Sequence, residues 1–478
     1  MSTHPVTLSA TSARETAAPS PSRADLVRAR LLEQLAAASP FWRGERALHA
    51  VEANPRRVRT DPAHARNPHY QLGLLLAPAY AAFSRHVLEH ADRYDRVYFL
   101  SREGWMFMRI YHRLARELGV APHKPRGTYL AVNRKLSFIA SMESLSIEEI
   151  GRIWRQYPAQ SLRRLLKNLS LPEEVFLPLA ARHGVVDPDR PIYRPRLNPY
   201  FMAFLADADV QRQFAARRDE LRALLTDYLR QRGFFSAARV AVVDVGWKGS
   251  IQTNLHRMAA REPGCPELHG FYFGLQHRPA LDAPGSTRHG FFCDTRSWDW
   301  LQSCILRNNS VFEMFATAPH GTVAGYERDA RAWVHARTEA EPEERRNFRG
   351  RFREVWRGID DWLADYLDTP DALAATAAEL RPALLDRLRR YILYPTRAEA
   401  RAFLEYSHVE SFGVFEVTRY GFRGSRRRLL TAGPPWRLPQ RVLAALRAQR
   451  WPEGVCKRSR VPLATFLFDV IDTRRYTR

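Results

Sequence analysis

An α/β fold is the class that the sequence predicts: a Rossmann-like, mostly parallel open sheet with a helical insertion and a helical C-terminal region. Two apolar stretches, residues 97–100 and 128–132, have the composition of strands and flank a stretch with helical spacing, which makes a βαβ unit. A third predicted strand, residues 240–243, is rich in valine and runs into Asp244, two nearby glycines and a helix start. Elsewhere, helical periodicity replaces the strand pattern.

The first segments of the chain are a tail and a helical lead-in to the sheet. Residues 1–24 are rich in Ser, Thr, Ala and Pro, and we expect a disordered tail there. Residues 25–145 are expected to be the first part of the α/β core, although the Arg- and Pro-rich stretch 40–70 is expected to be irregular. Helical spacing recurs in residues 25–37, 80–91 and 105–118.

A helical insertion or cap is predicted for residues 146–233. Ser146 and Ser170 are each followed three residues later by glutamate, which is the capping-box pattern at a helix start. Residues 219–232 have helical spacing and close this segment.

The α/β pattern is predicted to return in residues 234–329 and to give way to helices again in residues 330–478. A helix over residues 251–260 follows the glycine turn, and an apolar strand covers residues 270–274. From Trp333 onward, aromatic and aliphatic side chains at helical spacing predict long helices.

Positive charge dominates the composition, since 74 Lys and Arg against 51 Asp and Glu give a net charge of +23. Such a charge suits nucleic acid, an anionic membrane surface or phosphate-bearing substrates. Nearly all of it is arginine, a bias that a GC-rich genome also produces, in which case the charge is mostly solvated surface. The lysines are Lys124, Lys135, Lys167, Lys248 and Lys457.

Cysteine usage and hydropathy predict a cytoplasmic protein, at most peripheral to the inner membrane. The four cysteines form no CxxC pair, so neither a zinc knuckle nor a disulfide framework is indicated. Residues 1–23 lack the apolar core of a secretory signal. The apolar stretch 72–82 is shorter than the ~20 residues of a spanning helix and contains Pro78.

Polar side chains and glycines follow each of the three predicted strands that precede a loop. Because the carboxyl ends of parallel strands meet at one edge of a sheet, we expect these residues to form one ligand site. Strand by strand they are Ser101, Arg102, Glu103 and Gly104; Asn133, Arg134 and Lys135; and Asp244, Gly246, Lys248, Gly249 and Ser250.

Glu103 and Asp244 are the candidate catalytic residues of this site, because a carboxylate can act as a base or bind a sugar hydroxyl. The cations, the N–H groups of the glycine turn and the positive end of a helix dipole suit a phosphate. Apart from Lys135, the other residues of the set are candidates for substrate binding, together with Glu313 from a later polar patch. Each has a structural alternative: an ion pair of Arg102 with Glu103, a plain turn after Asp244, or a polar helix end at Glu313.

Other motifs are weaker. Neither GxxxxGK[ST] nor GxGxxG occurs at the glycine turn, so Walker A and dinucleotide sites are unsupported and the cofactor is unidentified. His86, Glu89 and His90 match the HxxEH form of a zinc-peptidase helix, but a solvated helix explains them as well, and no metal is predicted. Residues 466–473 look like the nucleophile motif of haloacid dehalogenase-type phosphatases, which needs a following α/β domain for its other groups.

Three motifs together resemble one bacterial module: residues 99–104 (FLSREG), 242–252 (VVDVGWKGSIQ) and 270–274 (GFYFG). That module is found downstream of haloacid dehalogenase-like domains in large proteins of surface-polysaccharide loci, and the likeness covers roughly residues 70–325. The resemblance implies a role in assembling O-antigen, capsule or a related glycan. Asn133 departs from the pattern, in which serine is expected before the arginine.

The residues and the resemblance together predict a surface-polysaccharide biosynthesis protein, a glycosyltransferase-like or other sugar-phosphate transferase. Its partners would be a phosphorylated or nucleotide-activated sugar and other glycan-assembly proteins. Two alternatives stay open. One is a non-catalytic partner in a glycan-assembly complex that uses the same pocket. The other is a nucleic-acid-binding protein, which no aromatic and basic recognition motif supports.

Overall fold

The computed structural model describes residues 39–53, 66–156, 160–279, 282–297, 302, 304–409, 417–419, 434, 438–447, 449 and 451–459. The predicted tail 1–24, the predicted helix 25–37 and the motif at 466–473 lie outside the described residues.

Five strands form the central sheet, and every neighbouring pair is parallel. They are β1 (Arg96–Leu100), β2 (Gly127–Leu130), β3 (Arg239–Asp244), β4 (Glu267–Leu275) and β5 (Ser286–Asp294). Their order is β2-β1-β3-β4-β5, so the chain winds to one side of β1 first and to the other side afterwards. The predicted α/β class with a parallel open sheet is confirmed, and its topological switch point lies between β1 and β3.

Helices cover the sheet and supply most of the remaining secondary structure of the described chain, together with two hairpins. In chain order the helices are α1 (Pro40–Glu52), α2 (Pro68–His90), α3 (Gly104–Glu117), α4 (Arg134–Ser141), α5 (Ile147–Gln156), α6 (Leu162–Asn168), α7 (Glu173–Arg182), α8 (Pro199–Ala206), α9 (Ala208–Gln231), α10 (Ser250–Ala259), α11 (Ser310–Ala316), α12 (Pro342–Arg349), α13 (Arg351–Leu367), α14 (Pro370–Ala374), α15 (Ala377–Leu393), α16 (Arg397–Leu404), α17 (Leu438–Arg447) and α18 (Pro452–Ser459). The hairpins are β6 (Thr322–Arg328) with β7 (Val334–Glu339), and β8 (Ser407–Val409) with β9 (Val417–Arg419).

Both faces of the central strands are buried, which is why β1 and β3 are nearly continuous apolar runs. Phe99 and Val243 pack in a core with α2, α3 and helices of the C-terminal region. Their neighbours Tyr98 and Val242 point to the other face, where α4, α9, α10 and the β6–β7 hairpin cover the sheet. No described helix has both the length and the apolar character that a bilayer crossing requires.

The predicted helical insertion is present between β2 and β3 and has a hydrophobic cluster of its own, which includes Ile150, Phe176 and Phe214. The two predicted capping boxes differ. The backbone N–H of Glu149 donates to the Ser146 hydroxyl at 3.4 Å, as expected. Ser170 caps no helix, because α7 begins only after Pro172, without a side-chain cap.

Two local predictions were wrong. Where the structure describes the stretch 40–70, it is largely helical: α1 starts with Pro40 at its first position, where a missing N–H costs nothing, and α2 begins at Pro68. The first part of the C-terminal region is not helical, because Trp333 lies in the turn of the β6–β7 hairpin. The strand β5 was not predicted.

Candidate functional site

The loops after β1 and β3 lie side by side at the switch point, because these two strands are paired from Arg96 to Phe99. In an open α/β sheet this crevice is where ligands bind. Both loops contain a cis peptide bond before a residue other than proline, Ser101–Arg102 in one and Gly246–Trp247 in the other.

Asp244 and Glu103 meet in this crevice. The side chain of Asp244 is buried at the end of β3, and its Oδ1 accepts a 2.8 Å hydrogen bond from the backbone N–H of Val245. Burial, followed by the negative charge of Glu103, raises the pKa of Asp244 well above its ordinary value, and Glu313 adds to this effect. The site therefore holds a buried carboxyl group that keeps its proton to a higher pH than an ordinary aspartate, beside a second, less buried one.

Arg102 is held by a carboxylate that the sequence did not suggest. Its Nη1 donates to Glu344 Oε1 of α12 at 2.8 Å, and both side chains are largely buried. Burial alone would lower the pKa of Arg102, but the negative charges of Glu344 and Glu103 outweigh it, so the pKa is raised. Arg102 thus forms this buried pair rather than the surface ion pair with Glu103 that was the structural alternative, while the backbone N–H of Arg102 donates to Glu103 Oε2 at 3.0 Å.

The glycine turn after β3 depends on two close approaches. A Cβ atom at Gly246, where φ is 134°, would overlap the carbonyl oxygen of Gly274 in β4. A Cβ atom at Gly249, where φ is 66°, would lie 2.7 Å from Nε of Arg288. Gly249 is the N-cap of α10 and Ser250 its first residue, so the turn leads directly into the positive end of a helix dipole.

Arg288 of β5 adds a buried positive charge beneath this turn. Its Nη2 donates to the hydroxyl of Thr253 in α10 at 2.7 Å, and its Nη1 lies 3.4 Å from Asp282. No described residue accepts a hydrogen bond from its Nε. A guanidinium under the first turn of α10 reinforces the attraction of that turn for an anion.

The chain after β2 contributes Arg134, which is the first residue of α4. The positive charge of Arg134 acts on Asp244, which puts the third strand end within reach of the same crevice. Asn133 is used within the protein: its Oδ1 accepts from the N–H of Leu136 at 2.9 Å, and its Nδ2 donates to Val323 of β6 at 2.6 Å. Burial lowers the pKa of Lys135 to about 8, although Glu339 opposes this shift.

Glu313 of α11 reaches the site through the glycine turn. Its Oε1 accepts a 2.6 Å hydrogen bond from Nε1 of Trp247, the residue that follows Gly246. The negative charge of Glu313 also contributes to the raised pKa of Asp244. Glu313 thus orients the turn and adds a third carboxylate to the crevice.

The remaining predicted residues have structural roles or lie at the edge of the crevice. The Ser101 hydroxyl is buried and donates to the carbonyl oxygen of Val132 at 3.0 Å. Gly104 allows α3 to pack on β1, since a Cβ there would lie 2.7 Å from the carbonyl carbon of Phe99. Lys248 is partly exposed in the glycine turn.

The histidine motif lies elsewhere, on the face of α2 that packs on β4 and β5. The rings of His86 and His90 share one helix face as expected, with centroids 4.4 Å apart. Burial, and then the nearby His90 and His289, lower the pKa of His86 to about 3. Glu89 accepts from Arg85 at 2.9 Å and from the N–H of Ala377 at 3.0 Å. In the described part of the chain, no three His, Cys, Asp or Glu side chains are arranged to hold a metal ion.

A cavity of about 1020 Å³ is also present, but it lies between α1, α2 and the C-terminal helices rather than at the switch point. Its walls combine leucine and tryptophan side chains, such as Leu72, Leu75 and Trp362, with as many charged ones. Some of the charged side chains pair with each other, as Arg387 does with Glu45 at 3.0 Å.

Several residues of the site were not predicted from the sequence. No local sequence pattern predicts that Glu344 pairs with Arg102, that Arg288 bonds to Thr253, or that Trp247 bonds to Glu313. Tyr129 of β2 is another, and its hydroxyl shares a 2.8 Å hydrogen bond with His320 Nε2 near the start of β6. Only Trp247 stands inside a recognised motif, so the other three could not have been found from spacing alone.

No protein-family model matches this chain, and a search of curated proteins finds none that is significantly similar.

Proposed function

We propose that the protein is a transferase of surface-polysaccharide biosynthesis that acts on a phosphorylated or nucleotide-activated sugar. The observation that carries the proposal is the meeting of Glu103 and Asp244, one from each side of the switch point, beside a glycine turn that opens an α-helix. The glycan context comes from the likeness of the three sequence motifs to a module of surface-polysaccharide loci. We expect the reaction on the cytoplasmic side of the inner membrane.

The two carboxyl groups suit different tasks. Burial and the charge of Glu103 raise the pKa of Asp244, so its carboxyl group keeps its proton to a higher pH than an ordinary aspartate and in that form can donate a hydrogen bond to a substrate oxygen. Glu103 is less buried and is the better base or hydroxyl acceptor. A buried carboxyl group beside a more exposed carboxylate is a typical arrangement for an acid and a base at one site.

The phosphate would bind at the turn from Gly246 to Ser250, where the first backbone N–H groups of α10, the dipole of that helix and the buried Arg288 favour an anion. Arg134 would add a second cation from the opposite strand end. Arg102 can join them only if it leaves Glu344, because the two side chains are now paired at 2.8 Å.

In the transfer step, Glu103 takes the proton of an acceptor hydroxyl as that oxygen forms a bond to the anomeric carbon of the sugar. The bond from this carbon to the phosphate oxygen breaks, and the leaving phosphate keeps the electron pair. Its added negative charge would be stabilised by the N–H groups of the turn and by Arg134. The protonated Asp244 would donate to a ring or hydroxyl oxygen and hold the sugar in position.

Substitution of Asp244 by Asn tests the proposal in cells that depend on this protein for a surface glycan. The Asp244→Asn protein should accumulate normally but make much less glycan, because the amide keeps the shape of the neutral carboxyl group but is a weaker hydrogen-bond donor than a carboxyl O–H. The control Asp371→Asn removes an exposed carboxylate and should leave glycan unchanged. Normal glycan from Asp244→Asn cells would end the proposal.

The substrate class can be tested by thermal shift with nucleotide sugars, sugar phosphates and inorganic phosphate. A ligand that binds only the folded chain stabilises it by about 2.7 kcal/mol at a concentration of 100 times Kd. We expect stabilisation by a sugar with a phosphate group and none by the same sugar without it.

The non-catalytic alternative makes a different prediction for Glu103. If the protein is a transferase, Glu103→Gln should lower the transfer rate by at least ~100-fold while the ligand still binds, because a base has been lost. The control Glu117→Gln changes an exposed carboxylate at the other end of α3 and should have no effect. Full glycan production by Glu103→Gln cells would favour a binding role.

A further inference from the structure

An exposed group of apolar and aromatic side chains lies far along the chain from the switch-point residues, in the helical insertion. Six large hydrophobic side chains stand out as exposed among the described residues, and four of them fall within residues 186–200. These four, which we call the apolar group of the 186–200 segment, are Val186 (86% exposed), Tyr193 (70%), Leu197 (71%) and Tyr200 (59%). Such a concentration marks an interaction surface, whereas single exposed hydrophobic residues are ordinary.

The segment that presents this group is held firmly by the rest of the insertion. The backbone N–H of Ile192 donates to the carbonyl oxygen of Gln160 at 2.7 Å, and the carbonyl oxygen of Ile192 accepts from Nε1 of Trp154 at 2.6 Å. The carbonyl oxygen of Pro188 accepts from the N–H of Arg163 at 3.0 Å. The outward direction of Tyr193 therefore follows from anchoring of its neighbour Ile192, which is buried.

The segment carries three arginines, Arg190, Arg194 and Arg196, against two aspartates, and Arg196 pairs with Glu148 at 3.1 Å. Arg190 and Arg194 are exposed on either side of Tyr193, and among the described residues no carboxylate pairs with either one. The acidic residues of the segment are engaged: Asp189 accepts from Nε of Arg163 at 3.0 Å, and Asp187 accepts from the N–H of Asp189 at 2.9 Å. Arg190 and Arg194 thus flank the exposed Tyr193 in the sequence, and the exposed Leu197 follows them.

We propose that the 186–200 segment docks the protein on the surface of an anionic lipid bilayer. Tyrosine is enriched where a membrane meets water, because its ring is apolar and its hydroxyl is polar. Aliphatic side chains such as Leu197 and Val186 enter the acyl boundary, and arginines pair with anionic headgroups. Neither a few inserting apolar side chains nor a few arginines alone hold a protein firmly on a membrane, and the segment carries both.

Size and chemistry favour a membrane over other occupants. The segment of 15 residues is smaller than the roughly 20–30 residues per side of a stable protein interface. Aliphatic side chains do not stack on nucleic acid bases, whereas they do insert into lipid. The overall charge of +23 would add long-range attraction to any anionic surface, so the test needs controls of equal charge.

The test is co-sedimentation of the full chain with vesicles of phosphatidylglycerol and phosphatidylcholine, compared with vesicles of phosphatidylcholine alone. We expect binding to the anionic vesicles only, and weaker binding in about 0.5 M salt, which screens charges beyond a few ångströms. The double variant Arg190→Gln/Arg194→Gln should reduce partitioning roughly tenfold to thirtyfold. The control Arg116→Gln/Arg353→Gln removes the same charge from two other exposed arginines and should reduce it far less.

The apolar contribution is tested separately. The double variant Tyr193→Ser/Leu197→Ser should reduce partitioning into anionic vesicles by roughly tenfold or more, because it removes the inserting side chains and keeps the charge. The control Tyr394→Ser changes an equally exposed tyrosine on α15's C-terminal side and should have little effect. No binding to either vesicle, equal effects of variants and controls, or self-association that Leu197→Ser abolishes would each overturn the proposal.

Discussion

The carboxyl group of Asp244 is almost completely removed from water at the end of β3, with the charge of Glu103 nearby. The folded chain therefore keeps its proton at a pH where the unfolded chain has lost it. Below the unfolded pKa of about 4 both states are protonated, and the folded state pays no penalty for this group. As pH rises above about 4, the unfolded state ionises first, so the free energy of unfolding decreases by up to ~1.4 kcal/mol per pH unit.

The Asp244→Asn variant should lack this pH dependence, because an amide does not titrate. We expect the free energy of unfolding of the variant, minus that of the wild type, to increase as pH rises from about 4 toward 7. Urea unfolding at a series of pH values measures this difference, in which the other titrating groups largely cancel. The exposed control Asp371→Asn should give a nearly flat difference. Parallel curves for Asp244→Asn and the wild type would mean that Asp244 ionises normally.

Glu344 pairs with the guanidinium of Arg102, to which an anionic ligand could otherwise bind. Glu344→Gln should lower the free energy of unfolding by roughly 1–3 kcal/mol, because it removes the charge that pairs with a buried guanidinium. Phosphate should then stabilise the variant more than the wild type, since it no longer competes with a carboxylate. Thermal shift with and without phosphate measures both effects. The control Glu341→Gln changes an exposed neighbour at the start of α12. Equal stabilisation of variant and wild type by phosphate would show that Glu344 does not compete.

Individual site residues differ in how far the sequence could predict them. Glu103 and Asp244 were expected to be neighbours because parallel strands end at one edge of a sheet, and the structure brings them together. The pairing of Arg102 with Glu344 was not predictable, because α12 reaches the crevice only after the chain has completed the sheet and a hairpin. Asn133 was expected to touch a ligand, yet its side chain caps α4 and holds β6.

At the scale of elements, the strand, turn and helix from β3 to α10 form the unit on which the phosphate site would depend. Gly249 and Gly119 have nearly the same positive φ, 66° and 65°, but only Gly249 has close neighbours. Alanine at Gly119 should cost about 1–2 kcal/mol for the backbone conformation alone. Alanine at Gly249 should cost more, because its Cβ would also collide with Arg288.

Chemical denaturation of the two glycine variants separates these effects. We expect Gly249→Ala to lose both stability and any stabilisation by phosphate, whereas Gly119→Ala should keep its response to phosphate. If the two variants lose equal stability, Arg288 moves aside at little cost and does not fix the turn.

Element prediction succeeded where apolar patterns were strong and failed where polar residues interrupted them. The strands before Arg102 and Asp244 were predicted within a residue or two. The strand β5 was missed because it contains Arg288, a buried charge that its contacts with α10 explain but its sequence does not. Trp333 fitted a helical spacing, yet the hairpin prevails because β6 and β7 complete the core that covers one face of the sheet.

At the scale of the whole molecule, the C-terminal helices belong to the same core as the sheet rather than forming a separate layer. Helices α2 and α13 approach closely at Gly73 and Gly358. A Cβ on Gly73 would overlap the carbonyl oxygen of Val355, and one on Gly358 would overlap that of Tyr70. Only glycine at both positions permits this packing.

Gly358→Ala should therefore lower the free energy of unfolding by roughly 1–3 kcal/mol, because the helices must move apart. Heat denaturation should still show one cooperative transition, since α13 and the sheet share one hydrophobic core. The control Gly325→Ala, whose Cβ would meet only the end of Arg337 at 3.8 Å, should be much milder. A separate early transition for the C-terminal helices would contradict a shared core.

The pairing of β1 with β3 across the helical insertion has a further consequence. A single cut in the backbone of the insertion would divide the chain into one fragment with β2 and β1 and another with β3, β4 and β5. The first fragment would carry Glu103 and the second Asp244 with the glycine turn, so a ligand that contacts both carboxyl groups would bind fully only after the fragments reassemble. The ligand would then act as a bridge that favours reassembly, which makes the protein a natural scaffold for a two-piece biosensor.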